Sequence, residues 1–162
     1  MKKSIRRRIG DFVEIDLGDG KFAYGRVLED PVFGFYDLLA STTPPLSDIL
    51  VMPIKFKIFV MKNAISSGRW RVIGNKPLEP ELAARVKFFN VDSLSKEISI
   101  YDYDHEVPAT FDKCQGMECA AVWSAEHVED RLRDEFAGVK NKWVESLSLG
   151  NLLKPKDSKI GA

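Results

Sequence analysis

The sequence predicts an α+β domain: a curved antiparallel sheet or small barrel of four to six strands, with a C-terminal helix and short helical turns. Alternation of apolar and polar residues comes early, at 11–17 and 54–60. The one long stretch with helical period comes late, at 125–137. Nothing between them resembles repeated strand–helix–strand units, and there is no internal repeat, so the strands are expected to pair antiparallel.

Residues 11–17 place Phe12, Glu14 and Asp16 on one side and Val13, Ile15 and Leu17 on the other, the pattern of a half-buried strand. Gly18, Asp19 and Gly20 supply the positive φ angles of a tight turn, and 21–28 returns as the hairpin partner through a three-residue loop or a near variant. A turn at Asp30-Pro31 leads to a short apolar strand at 35–39, and STTPP at 41–45 is a loop. Residues 54–60 set Ile54, Phe56, Ile58 and Val60 against Lys55, Lys57 and Phe59. The segment 67–82, SGRWRVIGNKPLEPEL, has too much Gly, Asn and Pro for a helix before Pro80. Its Trp70, Val72 and Ile73 still favour burial, so it is expected to form one short strand and then an ordered loop, with Trp70 inside.

Later, Pro80 can open about two helical turns to residue 86, 98–103 is the last clear strand, and Thr110 can cap a short helix to 116. The helix at 125–137 has a cap in Ser124 and a stop in Gly138. Trp123 and Val128 stand at staple positions, and Val128, Leu132 and Phe136 form its core-facing stripe. The type of the apolar segment 143–149 stays open. This gives a basic, flexible arm at 1–9, a single domain at 10–149 and a disordered tail at 150–162.

At 162 residues, 44% hydrophobic and 30% charged, the chain suits one core. With 24 basic and 24 acidic residues it has no net attraction to nucleic acid or to an anionic membrane. Asp11, Glu14 and Asp16 interrupt any signal-peptide core after the basic start, and no apolar run approaches the roughly 20 residues of a membrane span. A cytoplasmic location is expected, with Cys114 and Cys119 as free thiols. His105 and His127 lack zinc-site spacing, and no cofactor or metal is expected.

Three separated blocks, AYGRVL at 23–28, SGRWRVIGNKPLEPEL at 67–82 and AAVWSAEHVEDRLRD at 120–134, resemble in content and order the bacterial immunity proteins of polymorphic-toxin systems, the family numbered twenty-six. The resemblance runs from about Gly10 to Asp134. It implies a fold and a role: stoichiometric binding and occlusion of a cognate secreted or contact-delivered toxin domain, with no chemistry of the protein's own.

Charge is unevenly distributed. The first ten residues hold five bases and no acid, while 102–135 holds ten carboxylates and three bases. On a helix, Glu126, Asp130 and Asp134 make one row, in which each like-charge neighbour costs roughly 0.2–0.5 kcal/mol. Such a row is ordinarily a solvated face. Together with Asp102, Asp104 and Glu106 of YDYDHE it is also the expected docking face for a cationic toxin domain, such as a nuclease. A catalytic or metal role for Asp102, Asp104, His105 and Glu106 would need a sheltered pocket, and Cys114 with His127 would need the fold to join them. A second functional class is a small nucleic-acid-binding module using the basic arm, although basic residues in a strand around 55–62 are explained without a ligand.

Overall fold

The computed structural model describes residues 5–102 and 104–155. Its strands are β1 (Asp11–Gly18), β2 (Lys21–Val27), β3 (Val32–Ala40), β4 (Ile54–Val60), β5 (Arg71–Asn75), β6 (Phe88–Val91), β7 (Ile98–Tyr101), β8 (Glu106–Pro108) and β9 (Val122–Trp123). The helices are α1 (Leu46–Leu50), α2 (Asn63–Ser66), α3 (Pro80–Ala83), α4 (Ala125–Ala137), α5 (Lys142–Ser146) and α6 (Leu149–Leu152). One sheet has the order β5-β1-β2-β3-β4-β9 and a second has β6-β7-β8. The fold is α+β as the patterning predicts, but the six-stranded sheet is open, not closed into a barrel. Register shifts along the β1–β2, β1–β5, β2–β3 and β3–β4 pairs are bulges of the kind that bend a sheet. Between these strands pairing is antiparallel except for β4 and β9, whose two residues run parallel, and Phe89 of β6 also makes an isolated parallel bridge to Cys119.

The β1–β2 turn is tighter than a three-residue loop. Gly18 pairs with Lys21, leaving Asp19 and Gly20 as the two central residues, with φ of 54° and 70°. Two consecutive left-handed residues match the twist of a hairpin. Strand β1 is buried on both faces rather than one. Val13, Ile15 and Leu17 enter the larger core with Trp70 and the α4 residues Val128 and Leu132. Phe12 enters a second core with Tyr24, Tyr36 and Ile49, covered by α1. Alternation in sequence marked one face as solvent because Glu14 is charged; α1, unforeseen after STTPP, encloses that face instead.

Helix α4 has the predicted ends. Ser124 Oγ accepts the His127 N–H at 3.3 Å, and Gly138 closes the helix at φ 70°. Trp123, Val128 and Leu132 are buried, with Phe136 packed against the same core. Residue Thr110 does not cap its neighbour: a 3₁₀ turn at Asp112–Cys114 begins after Phe111, without a side-chain cap. Helix α3 is one turn rather than two. The open segment 143–149 falls into α5 and the start of α6, so helical structure extends to Leu152, into residues assigned by sequence to the tail. Arm residues 1–4, tail residues 156–162 and Tyr103 of the expected last strand lie outside the described residues.

Candidate functional site

Strand register puts charged residues inside the main sheet. Phe12 pairs with Arg26 across β1–β2, and the Arg26 guanidinium lies 4.0 Å from the Phe12 ring centroid, fully buried. Its five N–H groups need acceptors there. Nε donates to the Gly10 carbonyl at 2.8 Å, Nη2 to the carbonyls of Lys76 (2.8 Å) and Pro77 (3.1 Å), and Nη1 to Tyr36 Oη (3.0 Å) and Glu79 (3.2 Å). Gly10 has to be glycine here: at φ 91° a Cβ would stand 2.2 Å from the Lys76 carbonyl oxygen.

A second buried charge, Glu14, faces Tyr24 on β2 and Arg71 on β5. Tyr24 Oη donates to Glu14 at 2.9 Å, Arg71 Nη2 at 2.7 Å, and Thr43 Oγ1 adds a third hydrogen bond. Burial alone would push this carboxyl up, but the bonds from Thr43, Tyr24 and Arg71 prevail and hold it below the ordinary glutamate value of 4.5. A folded-state value below the unfolded one stabilises the fold above about pH 4.5, and this contribution is lost as pH falls through the lowered value. Urea midpoints measured below pH 4.5 are therefore expected to fall less steeply for Glu14→Gln than for the wild type.

On α4, Glu129 lies beside Val128 on the buried side. Arg69 donates to it in a fork at 2.7 and 2.8 Å, and Trp70 Nε1 donates at 2.9 Å. The three sequence blocks thus converge. Arg26 of the first binds the carbonyls of Lys76 and Pro77 in the second, and Glu129 of the third holds Arg69 and Trp70 of the second. They are scaffold rather than reactive groups. The sequence signal for Glu129 was available in the spacing of Ala125, Val128, Glu129 and Leu132, which puts a carboxylate inside a core-facing helix stripe.

The acidic residues expected at a partner face form two sets, on α4 and around the β7–β8 turn. Glu126, the most exposed of the α4 row, pairs with Arg69 at 3.5 Å. Asp130 accepts Trp143 Nε1 and Arg133 Nη1, both at 3.0 Å, and Asp134 accepts Asn141 Nδ2 at 2.9 Å. Asp130 and Asp134 therefore help to seat α5 and are not merely a solvated row. In the turn, Asp102 accepts the His105 N–H at 3.0 Å and Asp104 is paired with Arg85. Glu106 accepts Ser99 Oγ at 2.6 Å and Asn90 Nδ2 at 3.0 Å, bonds that hold its carboxyl below the ordinary range.

Cys114 and His127 are in different surroundings. Cys114 belongs to the cluster under the small sheet, whereas His127 stacks on Trp143 with ring centroids 3.6 Å apart. Burial pushes both thiols up, and burial with the neighbouring Glu118 takes Cys119 to about 11, so they are protonated near neutrality. Among the described residues no three His, Cys, Asp or Glu side chains are grouped to hold a metal ion, and no helix is long and apolar enough to cross a membrane. In the arm, the Arg7 guanidinium turns inward: it donates to the Val60 carbonyl at 2.9 Å and pairs with Asp30.

The chain matches no curated protein and no solved structure. The family model described as immunity protein 26 matches residues 8–100, which include the Arg26 and Trp70 blocks and end before α4. With more than half of its length matched, and with the matched residues forming the buried Arg26 and Trp70 scaffold, the chain belongs to the immunity protein 26 family.

Proposed function

We propose that the protein is a cytoplasmic inhibitor that binds one cognate toxin domain, delivered by secretion or cell contact, and blocks it by stoichiometric occlusion without chemistry of its own. Family membership is the observation that carries this reading. It is supported by the use of the buried polar residues as scaffold, each engaged with backbone or side chains of its own chain. The contact surface is drawn from the acidic residues Asp102, Asp104, Glu106, Glu126, Asp130 and Asp134, and the partner is cationic, a nuclease being one such domain. Electrostatic attraction of this kind speeds encounter and penalises wrong partners. Because a few free toxin molecules suffice to kill, binding should be nanomolar or tighter, about 12 kcal/mol or more.

The test is co-expression with the toxin domain encoded beside this gene. Survival that depends on this chain supports the proposal. Killing that continues despite well-folded, abundant protein argues against it.

A further inference from the structure

The arm that leads into β1 is tied down from Arg7 onward. Arg7 Nη1 donates to the Val60 carbonyl at 2.9 Å, and the guanidinium pairs with Asp30 and lies 5.6 Å from the Phe33 ring centroid. Further on, the Ile9 carbonyl accepts Asn75 Nδ2 at 3.1 Å and the Gly10 N–H donates to the Val27 carbonyl at 2.8 Å. Held in this way, the arm forms one wall of a groove of about 480 Å³, whose other lining residues are Val27 at the end of β2, Asp30, and Lys62 and Ser66 at the two ends of α2. That wall stands in place before any partner arrives, which lowers the cost of binding.

The lining combines apolar surface with positive charge. Ile5 and Ile9 both line the groove and are left 50% and 57% exposed. Three of its charged residues are bases, Arg6, Arg7 and Lys62, and the fourth is Asp30, which Arg7 neutralises. Among the described residues, Arg6 and Lys62 have no carboxylate partner, so two cations stand uncompensated beside the isoleucines. Apolar surface gathered at a groove and rimmed by charge marks an interaction site more than isolated exposed isoleucines would.

We infer that this groove takes an acidic peptide segment of a partner protein, with a large aliphatic side chain seated between Ile5 and Ile9 and flanking carboxylates set against Arg6 and Lys62. Charge complementarity selects the sign of the occupant, and the isoleucines select its apolar anchor. A nucleic-acid strand suits the charge but not the lining, which holds no aromatic ring for a base to stack on. A membrane suits both chemistries, yet a flat surface meets the rim of a groove and not its floor. None of the acidic residues assigned to the toxin lines this groove, so the inference goes beyond that contact and does not depend on it.

The experiment is fluorescence anisotropy with the full chain and a labelled, end-blocked peptide of alternating glutamate and leucine, at about 0.15 M salt. The wild type should bind saturably with a Kd below about 100 μM and more weakly as salt rises. Arg6→Glu, Lys62→Glu and Ile9→Ser should each keep the wild-type melting curve and weaken binding at least tenfold, and Arg6→Gln, milder toward the fold, about threefold. Lys113→Glu, a charge reversal away from the groove, should stay within twofold. Absence of binding by the wild type, or groove variants that bind as it does, overturns the inference. Tighter binding of a thymidine oligonucleotide or of phosphatidylserine vesicles under the same conditions overturns the choice of a peptide occupant.

Discussion

Trp70→Ala is expected to cost about 3–5 kcal/mol, enough to populate the unfolded state of a domain whose total stability is about 5–15 kcal/mol. The indole is 1% exposed and meets Phe33 and Phe35 edge-on, with ring centroids 5.8 and 5.7 Å away. Its truncation leaves a cavity where β3, β5 and α4 meet and removes the Nε1–H bond to Glu129. Trp70→Phe, which keeps most of the volume and loses that bond, should fall between alanine and wild type. Thermal melting decides the point: an alanine variant melting within a few degrees of the parent would show that the core does not depend on this ring.

Arg26→Met should be destabilising to a similar degree, about 3–5 kcal/mol, for a different reason. Methionine is apolar and of similar length, but it loses the guanidinium that lies over the Phe12 ring and cannot supply the donors that satisfy the carbonyls of Gly10, Lys76 and Pro77. Enclosed acceptors left without a partner retain their full desolvation cost. Arg26→Lys should not rescue, since one ammonium cannot reach positions served by a planar fork. Urea unfolding is the measurement, and a Lys variant equal to wild type would mean that charge alone, not the fork, holds the 76–79 segment to β2.

How much of this was legible in the sequence follows from what each element depends on. Helix α4 and the β1–β2 hairpin carry their own caps, turn residues and periodicity, so their ends were readable to within a residue or so. Trp70 was placed inside because loop chemistry on both sides left an aromatic with nowhere else to go. Short pieces escaped notice: β9 is two residues that become a strand only by lying beside β4, and β6, Phe88–Val91, needs β7 to define it. With β6 unread, the three-stranded sheet was not foreseen, although Glu106, which begins its strand β8, was already singled out as a candidate. Buried charge was the other blind spot. Alternation treats Glu14 and Arg26 as solvent-facing, and only the cross-strand neighbours supplied by register reveal that their partners are inside.

The central claim, inhibition by one-to-one occlusion, is tested most directly by titrating the activity of the purified toxin domain with this protein. Activity should fall in a straight line and reach zero at one equivalent, with full activity recovered when the complex is dissociated. Loss of toxin activity at a small fraction of an equivalent, increasing with time and not recovered on dissociation, would mean turnover by an enzyme and would contradict the account.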